Sequence, residues 1–125
     1  MSNVLLVDDS ATMRKIVKRK IIEVGFTVNE FFEAEDGKQA LEIVINNSLD
    51  LILLDWNMPI MNGLEFTQSL RSLDLPEKIQ VIMITTEGSP EKITEATSSG
   101  VDDFLLKPVT TDSIRDGLKN YLSRG

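Results

Sequence analysis

Length, composition and charge restrict the functions open to this chain. Its 125 residues include no cysteine and no histidine, and 20 acidic against 13 basic residues give a formal net charge of −7. Disulfides, thiolate and imidazole catalysis and the commonest transition-metal ligands are therefore excluded, so any chemistry uses carboxylates, hydroxyls and lysine. A length close to that of a typical domain predicts a single domain over residues 1–125.

The charge balance and the apolar runs also bear on partners and location. An excess of acid argues against general binding to nucleic acid or to an anionic membrane. No wholly apolar run exceeds four residues, whereas a helix that spans a bilayer needs about 20. The amino terminus lacks the basic and long apolar segments of a secretion signal. We therefore expect a cytoplasmic monomer with no nucleic-acid or membrane partner.

Short apolar runs alternate with longer segments of helical periodicity. Five strands are predicted in chain order, at residues 4–7, 30–34, 51–54, 79–84 and 103–106. The first helix follows Asp9 or Ser10, either of which is a candidate N-cap, and it ends at Gly25. Asp36 is the candidate N-cap of the second helix. The alternation of strand and helix indicates an α/β protein.

The later helices have clear start and stop signals. A turn-rich segment at 57–63 precedes the third helix. Ser89 followed by Pro90 opens the fourth helix, and Gly100 closes it. The fifth helix is predicted over about 111–122.

Strands 4–7, 51–54 and 79–84 are continuous apolar runs without period-two alternation. This pattern is typical of parallel strands covered by helices on both faces, and it predicts a doubly wound α/β fold. A solenoid would also give similar successive units, but these units share no sequence signature beyond hydrophobicity.

Polar side chains follow the last apolar residue of four predicted strands: Asp8 and Asp9, Asp55, Thr85 and Thr86, and Lys107. Ligands of open parallel sheets bind beyond the carboxyl ends of the strands, where the strand order reverses. Three carboxylates that converge there repel one another unless a cation or protons neutralise them. Because hard oxygen donors suit Mg²⁺ better than zinc, the sequence predicts a magnesium site.

Each of these residues has a simpler interpretation when it is taken alone. Asp9 or Ser10 is explained as a helix cap, and Asp55 as a cap of the following loop. Lys107 is explained as a lysine that reaches solvent from a strand end, and Thr85 as an ordinary β-branched strand residue. The combination at one edge of the sheet is what indicates a functional site.

The full set of motifs resembles the receiver domain of two-component response regulators, and in particular its single-domain chemotaxis members. The resemblance covers the whole chain and is carried by the pair 8–9, the segments 55–59 and 62–63, the turn 85–87 and the pair 107–108. It implies a flavodoxin-like three-layer sandwich with five helices and a five-stranded parallel sheet in the order 2-1-3-4-5.

The resemblance also implies a chemical role for several residues. Asp55 is the expected phosphoacceptor, which takes a phosphoryl group from the histidine of a kinase and becomes an aspartyl phosphate. Lys107 and the Thr85 hydroxyl are expected to contact phosphoryl oxygens. In this family the bond before Pro108 is typically cis. The absence of histidine fits, because the histidine belongs to the kinase.

A magnesium ligand set and a rate of dephosphorylation are implied in the same way. Asp9 and Asp55 would bind Mg²⁺, with Asp8 acting through water and with the backbone carbonyl of Asn57 as a further ligand. Asn57 and Glu87 match the family pattern of fast hydrolysis of the phosphoryl group. The resemblance therefore implies a signalling protein, not a turnover enzyme, that phosphorylates itself from small donors with Mg²⁺ and then dephosphorylates itself.

The implied output is a population shift between two conformations. Thr85 moves toward the phosphoryl group and opens space for an aromatic side chain on strand five, here Phe104, where the best-known chemotaxis members carry Tyr. The larger Thr86, where Ala is common, also bears on this rotamer. The affected face is formed by helix four, strand five and helix five. Its expected target is a flagellar motor switch protein or another protein, and a phosphatase is a further possible partner.

Five basic residues cluster on the first helix: Arg14, Lys15, Lys18, Arg19 and Lys20. A solvated face that complements the helix dipole is one interpretation, and a docking edge for an acidic kinase domain is the other. Two further functions compete with the switch, namely a phosphorelay receiver and an acyl-phosphate hydrolase that uses Asp55 as nucleophile. A dehalogenase-type phosphatase requires a second acid two residues after its nucleophile, and Asn57 at that position favours the switch.

Overall fold

A computed structural model describes residues 2–124 of the chain. The strands are β1 (Ser2–Val7), β2 (Val28–Ala34), β3 (Leu51–Asp55), β4 (Gln80–Thr85) and β5 (Asp103–Leu106). The helices are α1 (Ala11–Glu23), α2 (Gly37–Asn46), α3 (Gly63–Ser72), α4 (Pro90–Ser98) and α5 (Thr111–Arg124). Over residues 2–124, no helix combines the length and the apolar character that crossing a membrane requires.

All five strands pair in parallel in one sheet, in the order β2-β1-β3-β4-β5. This confirms the predicted doubly wound fold and the predicted strand order. The chain leaves β1 for β2 on one side and later places β3 on the other side. The strand order therefore reverses between β1 and β3, and their carboxyl ends lie next to each other at that point.

Several strands extend beyond the predicted apolar runs. β3 includes Asp55 and β4 includes Thr85, whereas β2 begins at Val28, two residues before the predicted start at residue 30. The reason is that the backbone ladder pairs residues of any polarity, as in the pairing of Asp55 with Ile84 and of Thr85 with Leu106. Asp55 and Thr85 therefore belong to rigid strands and not to the loops that follow them.

Two apolar layers cover the two faces of the sheet. One lies between the sheet and α2, α3 and α4, and Phe66 is its largest fully buried side chain. The other lies between the sheet and α1 and α5, and it contains Ile21 and Ile114. Successive residues of β1 alternate between the two layers, with Leu5 in the first and Leu6 in the second. Burial on both faces explains the continuous apolar runs in the sequence.

The helix starts are fixed by capping side chains. The Ser10 hydroxyl accepts a hydrogen bond from the Met13 N–H at 3.2 Å, so Ser10 caps α1 and the carboxylate of Asp9 is left for another role. Asp36 and Ser89 cap α2 and α4, as predicted.

Gly63 joins α3 closely to the end of β3. Its N–H donates to the carbonyl oxygen of Trp56 at 2.8 Å. A Cβ at this position would lie 2.6 Å from the backbone oxygen of Asp55 and 3.0 Å from the Cα of Trp56. Because the backbone atoms it would meet cannot rotate away, the close approach of helix and strand requires glycine.

We expect Gly63→Ala to lower the free energy of unfolding by about 1–3 kcal/mol, since the added methyl group forces the Asp55 backbone to shift. Gly117→Ala in α5 is the matched control, because its Cβ would meet only the ends of flexible side chains, Leu105 at 3.3 Å and Ile82 at 3.7 Å. That change is expected to be neutral or to stabilise by up to about 1 kcal/mol through helix propensity. Urea denaturation measures both values, and equal effects at the two positions would contradict the close-approach argument.

Candidate functional site

Three carboxylates converge at the carboxyl edge of the sheet, where the strand order reverses. Asp8 directly follows β1, Asp9 comes next, and Asp55 is the last residue of the neighbouring β3. One carboxylate oxygen from each of them lies within 4.8 Å of the others. Asp8 and Asp55 are buried, whereas Asp9 is exposed to solvent. The structure thus brings together the three acidic residues that the sequence placed at this edge.

Lys107 supplies the cation nearest to these acids. Its Nζ lies 3.0 Å from Oδ1 of Asp55 and 4.0 Å from Oδ2 of Asp8. Lys107 directly follows β5, and β4 lies between β5 and β3, so the lysine side chain has to reach across the end of β4. The peptide bond between Lys107 and Pro108 is cis, in agreement with the family expectation.

Burial raises the pKa of the Asp8 carboxyl above its ordinary value. A hydrogen bond from the Ser10 N–H, 2.9 Å long, opposes that increase, and the negative charge of Asp55 adds to it. Lys107 lowers the pKa again in part. Burial and the neighbouring Asp55 both disfavour the charged form of Asp8, and a cation among the three carboxylates would favour it.

Thr85 lies at the end of β4, beside the acidic cluster. Its side chain is buried, and its Oγ1 accepts a hydrogen bond from the Glu87 N–H at 3.1 Å. Thr85 pairs with Leu106 of β5. Two residues earlier in the same register, Met83 of β4 pairs with Phe104 of β5. Phe104 is half-buried and packs on the apolar layer toward α4. Thr85 and Phe104 therefore lie two residues apart along neighbouring strands on one face of the sheet.

Asn57 and Glu87 are exposed on the loops that follow β3 and β4. Trp56 between Asp55 and Asn57 is only 7% exposed. The Nζ of Lys92, in the first turn of α4, lies 4.9 Å from the centre of the Trp56 ring system. This cation–π contact joins α4 to the loop that follows Asp55.

Comparison with known proteins identifies the family. The model of the response regulator receiver domain matches residues 4–119. The chain belongs to this family. A chemotaxis protein CheY homolog of Campylobacter jejuni is 36% identical over 122 residues, which cover 97% of this chain and 92% of the relative. Chemotaxis protein CheY1 of Helicobacter pylori is 38% identical over 119 residues, or 94% of each chain.

A solved structure of Vibrio cholerae CheY4 superposes on this receiver domain with a TM-score of 0.86. The two sequences are 34% identical, and the match covers 97% of this chain and 98% of the other. The chain is therefore a receiver domain of CheY type, which makes it a signalling protein of the two-component response regulator class.

The donor set of this receiver domain fits Mg²⁺. Asp8, Asp9 and Asp55 offer only carboxylate oxygens, and the Asn57 carbonyl belongs to the loop that follows directly. Hard oxygen donors with space for water are what Mg²⁺ requires, and the excess negative charge around Asp8 favours a divalent cation. When bound, the ion would neutralise charge on phosphoryl oxygens.

The structure corrects one interpretation of the basic residues on α1. Arg14 does not belong to a solvated face, because its side chain is 12% exposed. Its guanidinium donates to the backbone oxygen of Asp8 and to the Glu33 carboxylate. Helical spacing alone does not reveal this, since Glu33 comes from a different element. A cation in the first turns of a helix, where the dipole disfavours it, was the available signal.

We expect Asp8→Asn to stabilise the metal-free protein at pH 7. The folded-state pKa of Asp8 is raised above its unfolded value, so its contribution to stability is full below the unfolded pKa and is lost as pH rises through the folded pKa. The advantage of the variant should therefore shrink as pH falls and vanish below about 4, where the carboxyl becomes protonated in both states. Urea denaturation in a chelator measures this across pH.

Magnesium provides the control for that experiment. At ten times its dissociation constant, Mg²⁺ is expected to stabilise the wild type by about 1.4 kcal/mol and Asp8→Asn by less. A variant that is less stable than the wild type at pH 7 without metal would contradict the electrostatic account of the cluster.

Proposed function

We propose that Asp55 accepts a phosphoryl group from the phosphohistidine of a histidine kinase and that the modification switches a protein-binding face in chemotaxis control of the flagellar motor. One observation carries the proposal: the buried Asp55 carboxylate lies within the acidic cluster and 3.0 Å from the ammonium group of Lys107. The relatives that match nearly the whole chain are named chemotaxis proteins, which supports the signalling context.

The transfer step needs little from the protein beyond positioning and charge compensation. An oxygen of the Asp55 carboxylate attacks phosphorus and forms an O–P bond, while the N–P bond to the kinase imidazole breaks. The electron pair of that bond returns to the imidazole nitrogen. The product is an acyl phosphate on Asp55 and a free histidine on the kinase.

Lys107 and Thr85 are the groups that would contact the negatively charged phosphoryl oxygens. The ammonium of Lys107, already paired with Asp55, would pair with a phosphoryl oxygen through a charge-assisted hydrogen bond. The Thr85 oxygen accepts from Glu87, so its hydroxyl hydrogen remains available to donate to another phosphoryl oxygen. Asp55, Thr85 and Lys107 end or follow three consecutive strands of the sheet, and this order keeps them adjacent.

The switch would begin at Thr85, because it is the phosphoryl contact nearest the α4 side. Movement of Thr85 toward the phosphoryl group would vacate space on the face that it shares with Phe104. Phe104 is only half-buried, so a more buried rotamer is open to it when that space appears. The result is a shift in the population of two arrangements of the α4–β5–α5 face.

Three protein partners are proposed for this receiver domain. We propose the exposed basic residues of α1, Lys15 and Arg19, as the docking edge for an acidic domain of the kinase. We propose a flagellar motor switch protein as the target of the α4–β5–α5 face. A phosphatase is a further proposed partner. We place the exchange in the cytoplasm, with residues 1–125 acting as one receiver domain.

Asp55→Asn is expected to lower phosphorylation by acetyl phosphate and Mg²⁺ by about 100-fold or more, because an amide is not a nucleophile toward phosphorus. Asp50→Asn is the matched control. Asp50 directly precedes β3, at the opposite end of the strand from Asp55, and its carboxylate accepts a hydrogen bond from the Asn3 N–H. Intact mass reports the added phosphoryl group, and release by hydroxylamine identifies an acyl phosphate. Equal labelling of both variants would place the acceptor elsewhere.

The emission of Trp56 reports the same site without transfer, because the indole adjoins Asp55 and is buried. Mg²⁺ and then beryllofluoride should each change the emission of the wild type. Beryllofluoride should also strengthen binding to the motor switch protein of the same organism, and Asp55→Asn should show neither beryllofluoride effect. Activation of the wild type without any gain in binding to that protein would reject the flagellar target and leave the phosphoacceptor intact.

The phosphorylated state is expected to last seconds to minutes after the donor is removed. Asn57 and Glu87 are exposed on the loops that follow β3 and β4, and we propose that they give an attacking water access to the phosphoryl group. This lifetime is measured from the decay of the acyl phosphate in a buffer without chelator. The decay is followed by intact mass or by Trp56 emission. Persistence for hours would contradict the role of these two residues in fast hydrolysis.

A further inference from the structure

Arg14 differs from the other basic residues of α1 in its surroundings. Its side chain is 12% exposed, whereas the adjacent Lys15 is exposed. Arg14 is the fourth residue of α1, near the end of the helix where the dipole disfavours a cation. A buried cation at this position needs specific partners.

Both partners of Arg14 belong to the region of the acidic cluster. Its Nη1 donates to the backbone oxygen of Asp8 at 2.6 Å, and its Nε donates to Oε1 of Glu33 on β2 at 2.9 Å. The Asp8 N–H donates to the backbone oxygen of Ala34 at 3.1 Å. The backbone of Asp8 is therefore held on both sides, by β2 through its N–H and by α1 through its carbonyl group.

The Asp8 carbonyl belongs to the peptide unit that joins Asp8 to Asp9. Because that unit is planar, a bond that orients the carbonyl also orients the N–H and the Cα of Asp9. The exposed Asp9 carboxylate forms no salt bridge within residues 2–124. No salt bridge fixes its direction, so the orientation of the backbone contributes to it, and Arg14 holds the carbonyl end of the peptide unit that precedes Asp9.

We propose that Arg14, oriented by Glu33, is a positioning residue that sets the Asp8–Asp9 peptide so that both carboxylates face Asp55 in the arrangement a divalent cation requires. This proposal rests on the proposed function and adds a supporting pair to the same site. The guanidinium fork makes one bond to each partner, which fixes its own orientation as well as that of the carbonyl.

Charge and geometry predict opposite effects of removing Arg14. As a positive charge near the cluster, Arg14 repels a second cation, so its loss would tighten Mg²⁺ binding if charge were all that mattered. As a positioning group, Arg14 holds the acids in place, so its loss would weaken binding. The sign of the change in affinity therefore separates the two roles.

The experiment compares Arg14→Met with Lys15→Met, which removes the same charge from the next residue without removing a bond to the cluster. Mg²⁺ affinity is measured from Trp56 emission and by calorimetry. We expect Arg14→Met to raise the Mg²⁺ dissociation constant by about 10-fold, in the range for groups that orient metal ligands. Lys15→Met should leave it within about twofold, or lower it.

Further variants separate positioning from general stability. Glu33→Gln keeps an acceptor for Arg14 and should bind Mg²⁺ like the wild type, whereas Glu33→Ala should weaken binding by about threefold. Glu33 is 42% exposed, so these variants keep the proposal testable if Arg14→Met does not fold. At saturating Mg²⁺, Arg14→Met should regain phosphorylation by acetyl phosphate to within about twofold, because it acts through metal affinity.

Two results would overturn the proposal in different ways. Wild-type Mg²⁺ affinity in folded Arg14→Met and Glu33→Ala would overturn the positioning role alone. A wild type that shows no response to Mg²⁺ by emission or calorimetry would overturn the proposed function and this inference together. Urea denaturation in a chelator establishes that each variant is folded before its affinity is compared.

Discussion

The mutual repulsion of three carboxylates at one edge of the sheet is the constraint on which the rest of this structure depends. Two unit charges about 4 Å apart repel by about 4 kcal/mol at an effective dielectric of about 20. Two of the three acids are buried, so water screens them little. Lys107 reaches the cluster across the end of β4 and offsets part of the repulsion. Arg14 bonds the backbone oxygen of Asp8. A fold that places these charges together must also fix their compensation.

In the proposed switch, the same constraint connects the site to the α4–β5–α5 face. The lysine that compensates Asp55 follows β5, and the strand it crosses ends in Thr85. Any change of charge at Asp55 therefore acts directly on the ends of β4 and β5. Phe104 lies on β5 itself, two residues from the partner of Thr85. The strand order, more than any single contact, links the acids to the α4–β5–α5 face.

Much of the fold follows from the sequence, because parallel strands buried on both faces give continuous apolar runs that periodicity detects. The positions of the acids and of Lys107 could also be predicted from the sequence, because polar residues directly after such runs must share one edge of the sheet. The choice of Ser10 over Asp9 as N-cap and the start of β2 at Val28 depend on hydrogen bonds that composition does not encode. The role of Arg14 depends on Glu33, 19 residues away on another element.

The contact between Lys92 and Trp56 has a consequence for spectroscopy. The chain has one tryptophan, which directly follows β3, and its indole contacts an ammonium group carried by α4. Its emission is therefore a composite signal, in which charge at the acids and displacement of the helix both contribute. Charge at the acids and charge at Lys92 both shift the energy of the excited indole, so the wavelength of maximum emission responds to either change, whereas quenching by a soluble collider reports solvent access. The single indole thus gives two separate readings of the conformational state, one of the charge around it and one of its access to solvent.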